Sequence, residues 1–339
     1  RRISSAASDV YKRQEYGPVD SLVWEEVESP EPQDNEVLID IKAAALNFPD
    51  FLIVQGLYQF KPELPFAPGN EGAGIIKKTG KNVTRFKEGD RVYFMAPHGA
   101  FAEQICINEF GVFPIPDEIS FQLAASYQMA YGTSYHALVQ RGDLSEGDEV
   151  LILGASGGVG LAALDIVKAK GARAVVGVST EEKAKICRDY GADEVIVYGT
   201  GPKDKEEAKA FSAELKSKSI KGGYDIIYDP IGDCYAEPAF RAIGWKGKYL
   251  VVGFAAGQIP KLPINLTLLK GASVVGVFWG AFTGREFEEN QKNISDINRM
   301  LSVGEIKPLI SKEIPMENAV EAIQMIGSRG VVGKVVLVN

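Results

Sequence analysis

The alternation of apolar and polar positions changes character twice along the chain. Up to about residue 121 the apolar positions come in short runs broken by glycine and proline, and the runs at 37–42, 72–76 and 91–94 predict strands. Pro62, Pro65, Pro68 and Gly69 mark a loop between the first two, and Lys87-Glu88-Gly89-Asp90 a turn before the third. Residues 123–139 then carry a helical period without proline. Beyond Gly147 and Asp148 strand and helix alternate. Strands are predicted at 150–153, 174–178, 194–197, 225–228, 249–252 and 273–278, with helices in the first four gaps; two of these helices, 158–170 and 180–189, are closed by Gly171 and Gly191. Near-continuously apolar strands joined by helices point to a parallel sheet covered on both faces. A helix near 286–301 and a strand at 333–337 end the chain. Residues 1–14 show no clear period and are read as a non-native or disordered segment rather than as part of the fold.

Composition narrows the function classes. The 339 residues, 45% apolar and 24% charged, are enough for two or three domains of ~100–200 residues. A formal charge of −8 with no Lys/Arg-rich run argues against a dedicated nucleic-acid binder. No stretch approaches the ~18–20 consecutive apolar residues of a membrane helix. Cys106, Cys187 and Cys234 are too few and too scattered for a disulfide framework, so a soluble cytoplasmic protein is expected.

The densest chemistry lies after the run Val150-Leu151-Ile152-Leu153, where Gly154-Ala155-Ser156-Gly157-Gly158-Val159-Gly160 opens a helix. A strand, a bare turn and a helix N-terminus offer free N–H groups and a partial positive charge to a dinucleotide pyrophosphate. Gly157, Gly158 and Val159 are the expected cradle and Gly160 the point of close helix–strand packing; a tight turn that binds nothing is the alternative. An NAD-selective site places a carboxylate ~20 residues further on. Nineteen residues after Gly160 this chain has Ser179, then Thr180 and Lys183, whose hydroxyls and ammonium suit a 2′-phosphate and predict NADPH. The same stretch, Ser179-Thr180-Glu181-Glu182, also reads as a capping box with Ser179 as N-cap. Glu181 and Glu182 are the residues that would favour NADH if either swung toward the ribose.

Together Gly147-Asp148, Leu151 and the glycine loop, with Leu46-Asn47-Phe48-Pro49-Asp50, Gln55-Gly56-Leu57-Tyr58, Pro68-Gly69-Asn70-Glu71, Tyr228-Asp229-Pro230-Ile231-Gly232 and Gly333-Lys334-Val335-Val336-Leu337, resemble the zinc-independent quinone oxidoreductase (zeta-crystallin-like) branch of the medium-chain dehydrogenases/reductases. The resemblance runs from about Glu15 to Leu337. It departs at Asp165, where relatives usually carry Gln, and at the N-terminus, where the family's first strand is missing or replaced by residues 1–14.

The resemblance implies an α/β fold: a GroES-like β-rich catalytic domain of residues 15–123 and 280–339 around a Rossmann domain of residues 124–279 with a doubly wound six-stranded parallel sheet. It implies no metal, since Asn47 and Asn70 stand where metal-binding relatives carry Cys and His. His98 and His136 are expected to be packed or at the surface. It implies NADPH-dependent hydride transfer to quinones or related conjugated carbonyls. Enoyl thioesters of the acryloyl-CoA kind or 2-alkenals are the alternative acceptors, and a non-enzymatic crystallin-like or RNA-binding role the remote one. Asn47 and Tyr58 are implied as catalytic, although Tyr58 reads equally as a loop aromatic beside Pro62. Asn47, Thr133, Tyr198, Pro230, Phe254, Val277, Phe278 and Lys334 are implied around the cofactor; Thr133 reads otherwise as a helix cap, and Phe254, Val277 and Phe278 as ordinary core. A homodimer through strand 273–278 is expected, unless residues 282–301 cover that edge.

Overall fold

The structure, a computed structural model, describes residues 7–339. The chain divides into two compact units: a β-rich unit of residues up to Met129 together with Pro308–Asn339, and a parallel-sheet unit of Ala130–Lys307.

The β-rich unit opens with β1 (Ala7–Lys12) antiparallel to β2 (Val23–Glu28). This corrects the expectation for residues 1–14 as far as the described residues go: Tyr11 is buried, Arg13 bridges to Phe66, and only residues 1–6 lie outside the description. A six-residue strand with one large aromatic gives little periodicity of its own; its partner strand supplies the pairing. The centre of the unit is β3 (Glu36–Ala45), buried along nearly its whole length. On one edge it pairs with β4 (Glu71–Thr79), which leads to β5 (Arg91–Met95) and β7 (Val112–Pro114). Its other edge is shared, with β6 (Gln104–Asn108) lying against residues 36–40. Ala43, Ala45 and Ala73 leave room for the helix Phe121–Ser126, which brings Ala124 and Ala125 down onto the sheet. Ser120 caps that helix, accepting from Leu123 N–H at 3.2 Å.

The helix expected at 123–139 is three segments. Phe121–Ser126 ends at Tyr127, Gln128–Tyr135 follows, and His136–Arg141 is a π-helical turn. Glu71 accepts the Met129 N–H at 3.0 Å, so the second helix starts on a buried carboxylate. Thr133 is therefore inside a helix and caps nothing.

In the parallel-sheet unit, β8 (Glu149–Leu153), β9 (Arg173–Val178), β10 (Glu194–Val197), β11 (Tyr224–Asp229), β12 (Ile243–Val251) and β13 (Ser273–Gly276) line up in the order β10-β9-β8-β11-β12-β13, all parallel. This is the doubly wound dinucleotide-binding order, whose winding reverses between β8 and β11. β13 is two residues shorter than expected, and Val277 and Phe278 lie beyond it. Residues 280–307 cluster with this unit, not with the β-rich one as expected. Tyr135 donates to Asp296 at 2.5 Å, Gln140 and Asn293 exchange side-chain hydrogen bonds, and His136 stacks on Phe282 at 3.9 Å. The chain then returns to the β-rich unit with β14 (Ile310–Pro315) and β15 (Lys334–Val338); β15 pairs antiparallel with residues 43–45 of β3.

Asp165, flagged as a departure, is well accommodated. Its Oδ2 accepts from the Tyr131 hydroxyl at 2.6 Å and from Lys307 N–H at 2.8 Å. Asp165→Ala leaves both donors without an acceptor in a buried site and is expected to cost about 2–3 kcal/mol, read from the urea-unfolding midpoint; an unchanged midpoint would show that these bonds hold nothing.

Candidate functional site

At the end of β8 the backbone turns through Gly154 (φ +60°), and Ala155 N–H reaches across to Gly177 C=O at 3.2 Å. Gly157 caps the helix Gly158–Ala169. A Cβ on Gly160 would lie 2.4 Å from the Gly154 carbonyl oxygen and 2.6 Å from Ala155 Cα, so only glycine lets the helix pack this close to the strand end. At Gly157 a Cβ would meet nothing closer than 3.6 Å. Packing leaves Gly157, Gly158 and Val159 half-buried, with the unpaired N–H groups of a helix N-terminus beside them. Ser134 braces this end from below: its hydroxyl donates to Val159 C=O at 2.8 Å and is bonded to the buried Tyr228 hydroxyl at 2.8 Å. Thr133 is its half-buried neighbour.

At the end of β9, Lys183 Nζ donates to Ser179 Oγ at 3.2 Å, bringing two of the expected 2′-phosphate ligands together. The N-cap of the helix Glu181–Asp189 is Thr180, accepting from Lys183 N–H at 3.4 Å, and not Ser179 as expected. Ser179 is thereby left for other partners. Both nearby carboxylates are engaged: Glu181 pairs with Arg188 at 2.5 Å, and Glu182, its acidity strengthened by its own backbone N–H, is also hydrogen-bonded to Thr180. Tyr198 donates its N–H to Val178 C=O at 2.9 Å, its hydroxyl meets the Gly154 backbone, and its ring lies 4.6 Å from that of Tyr235. It thus ties the ends of β8, β9 and β10 together. Pro230 sits in a turn organised by the buried Asp229, which accepts from Ile231 N–H (2.9 Å), Gly232 N–H (2.8 Å) and the Tyr249 hydroxyl. Phe254 packs over Gly232, Val277 N–H bonds Val251 C=O, and Phe278 is 55% exposed.

The β-rich unit holds a buried charged cluster. Asn47 caps the helix Phe48–Ile53, and its N–H donates to Asp50 Oδ2 at 2.8 Å. Its side chain turns inward: Nδ2 donates to Glu71 Oε1 at 2.8 Å, and Oδ1 accepts from Lys334 Nζ at 2.6 Å. Lys334, at the start of β15, also pairs with Glu71 at 2.8 Å, both side chains being buried. Lys334 was expected at the cofactor; its ammonium lies between Asn47 and Glu71. Asp50 is buried, and its pKa rises to about 7, chiefly from desolvation. Tyr58, half-buried in the loop after that helix, has its pKa raised by burial and then by the charge of Asp50. Glu71 and Asp50 carried a sequence signal only as carboxylates beside asparagines; that Lys334 would meet Glu71 was written nowhere local.

Two family profiles match the chain, that of the alcohol dehydrogenase GroES-like domain over residues 33–117 and that of the zinc-binding dehydrogenases over 158–296. Quinone oxidoreductase-like protein 2 of Bos taurus is 31% identical over 317 residues, spanning 93% of this chain and 88% of its own. The chain belongs to the quinone oxidoreductase branch of the medium-chain dehydrogenases/reductases. Human quinone oxidoreductase is 31% identical over 323 residues, 95% of this chain and 94% of its own. Among solved structures, the NADPH complex of mycobacterial Rv1454c superposes with a TM-score of 0.89 at 27% identity, covering 98% of this chain and 100% of that one. The NADPH complex of Escherichia coli quinone oxidoreductase gives 0.85 at 26% identity over the same shares. As a member of this branch the chain is an oxidoreductase. A catalytic zinc does not fit its residues. Asn47 and Asn70 offer amides where thiolate and imidazole bind zinc; Asn47 bonds Glu71 and Lys334, and Asn70 Nδ2 donates to Pro97 C=O at 2.6 Å. A dinucleotide fits: the glycine turn closes on itself where a Cβ cannot go, beside free helix amides.

Removing Lys334 leaves Glu71 buried without its cation, so Lys334→Met is expected to lower stability by about 3–5 kcal/mol in urea unfolding, and adding Glu71→Leu to recover much of it. A single variant as stable as the parent would mean that the pair is not buried in solution.

Proposed function

We propose that this quinone oxidoreductase family member is an NADPH-dependent, metal-free reductase of quinones or related conjugated carbonyl compounds. The observation that carries the cofactor choice is the end of β9, where Ser179, Thr180 and Lys183 gather while Glu181 is paired to Arg188 and Glu182 is held by Thr180. Hydroxyls and an ammonium favour a 2′-phosphate, and the carboxylates that would repel it are engaged. The glycine turn and Tyr198 support the same placement, as do the NADPH complexes of the Rv1454c protein and the Escherichia coli enzyme.

Bound NADPH supplies a hydride to the electron-poor carbon of the acceptor. The protein's part is to place the acceptor and to hold the charge that appears on its carbonyl oxygen. Asn47, fixed on both sides by Glu71 and Lys334, is a rigid polar anchor, and Tyr58 is the hydroxyl that donates to that oxygen. The acceptor class follows the curated relatives, whose names are quinone oxidoreductases. The protein works as a homodimer in the cytoplasm. Support for the dimer is β13, which among the described residues pairs with β12 alone and has Val274 43% exposed; the strand is largely exposed, so residues 282–301 do not bury it.

Following NADPH oxidation against quinones, 2-alkenals and short enoyl-CoA esters is expected to show turnover with quinones first; turnover with enoyl esters alone moves the acceptor class, and none with any overturns the reading. Lys183→Ala is expected to raise KM for NADPH about tenfold or more while leaving KM for NADH within about twofold, the loss of one charge-assisted contact to phosphate. Equal losses on both cofactors would remove Lys183 from the phosphate pocket. Sedimentation at micromolar concentration is expected to give twice the 36.7 kDa chain mass, and a monomer would leave β13 as a bare edge.

A further inference from the structure

Tyr228 is an odd residue for a strand shut away on both faces. It lies on β11 opposite Ile152 of β8, where the winding of the sheet reverses, and its side chain is fully buried. A phenylalanine would fill the same space without a hydroxyl to desolvate. Ser134 is equally out of place. A serine inside a helix ordinarily turns back to a carbonyl of its own preceding turn. This one, also fully buried, reaches Val159 C=O of another helix at 2.8 Å. The two hydroxyl oxygens are 2.8 Å apart. A carbonyl can only accept, so Ser134 gives its one proton to Val159, and Tyr228 donates to Ser134. Burial pushes the Tyr228 pKa up and keeps that proton in place.

The carbonyl at the end of this series is not short of a donor. Val159 is the second residue of the helix Gly158–Ala169, where the N–H four residues on already matches its C=O. The same peptide unit carries the Gly160 N–H, which in a trans peptide points the opposite way, toward the helix N-terminus. The first return bond of the helix runs from Leu161 N–H to Gly157 C=O at 2.9 Å. The Gly158, Val159 and Gly160 amides come before it, as the orphan donors of the first turn. A proton offered to the carbonyl behind makes the amide in front a stronger donor, because hydrogen bonds in series polarise one another.

We infer that Tyr228 and Ser134 are positioning residues for the dinucleotide: in series they fix and polarise the first turn of Gly158–Ala169 so that its amides meet the pyrophosphate. The inference rests on the NADPH reading above and adds to it two buried residues that act through Val159. The pyrophosphate is common to NADPH and NADH, so the pair serves both alike, whereas Lys183 belongs to the 2′-phosphate.

The test compares dissociation constants for NADPH, NADH and 2′-AMP, which carries the 2′-phosphate and no pyrophosphate. Tyr228→Phe and Ser134→Ala are each expected to weaken NADPH and NADH by the same factor, about fivefold, and to leave 2′-AMP within about twofold, the loss of one hydrogen bond at the pyrophosphate alone. Lys183→Ala is expected to show the opposite pattern, weakening NADPH and 2′-AMP and sparing NADH. Because Tyr228 acts through Ser134, adding Tyr228→Phe to Ser134→Ala is expected to weaken NADPH no further. Ser134→Ala strands a buried hydroxyl; Tyr228→Phe keeps the ring and carries the test if the alanine variant does not fold. Wild-type constants for both dinucleotides in the variants overturn the inference even if their urea-unfolding midpoints fall, since the pair is then structural only. A loss that extends equally to 2′-AMP overturns it too, as do additive losses in the double variant. A wild type that binds NADH but not NADPH overturns the 2′-phosphate reading alone, and an NADH loss in Tyr228→Phe then still supports the positioning role. A wild type that binds neither dinucleotide overturns both.

Discussion

A lysine ammonium and a glutamate carboxylate meeting in a dry interior set the terms for the β-rich unit. Desolvating two charges costs several kcal/mol per ion, and their attraction recovers this only if the remaining lone pairs and protons are satisfied. Asn47 completes the set from one side, and the Met129 N–H from another. The four groups come from β15, β4, the loop after β3 and the start of the Gln128 helix, so a slip of any one would strand a charge. The unit is built from two distant stretches of chain, and the pair makes their register unambiguous: Lys334 reaches Glu71 only if Val336 stands opposite Ala45.

The parallel-sheet unit was the more legible from sequence, for a physical reason. Strands buried on both faces must be apolar throughout, and glycines that close helices or admit a helix against a strand end have no substitute; Val150 to Gly160 shows both. Only β13 came out short, because Val277 and Phe278 are apolar without belonging to the ladder. What the sequence hid were matters of partnership. β1 has little pattern until β2 is beside it. The helix break at Tyr127 carries no proline or glycine; Glu71, more than fifty residues away, receives the next helix. Thr180 won the cap from Ser179 by one residue, a difference that propensity cannot resolve since both side chains cap well. Lys334 was visible as a charge in an apolar strand, yet nothing local told that its partner was Glu71.

Carboxylates at the two constellations meet three fates. Glu71 is paired with a buried ammonium. Asp229 is made a template, its two oxygens shaping the Pro230 turn by taking two N–H groups and a hydroxyl. Glu181 and Glu182 are occupied at the surface, and there the effect is steric and directional rather than energetic, since exposed pairs contribute little. With a formal charge of −8, such disposal of negative charge is what leaves an anion welcome at the ends of β8 and β9.

The single oxygen of Asp165 that takes both the Tyr131 hydroxyl and the Lys307 N–H brings the two ends of the parallel-sheet unit to one point. That unit is therefore a cassette with its entrance and exit side by side. On a growing chain it is complete while the β-rich unit still lacks its final two strands. The described residues up to Met129 wait, unclosed, through the synthesis of an entire second body, and the order of birth is written into the topology.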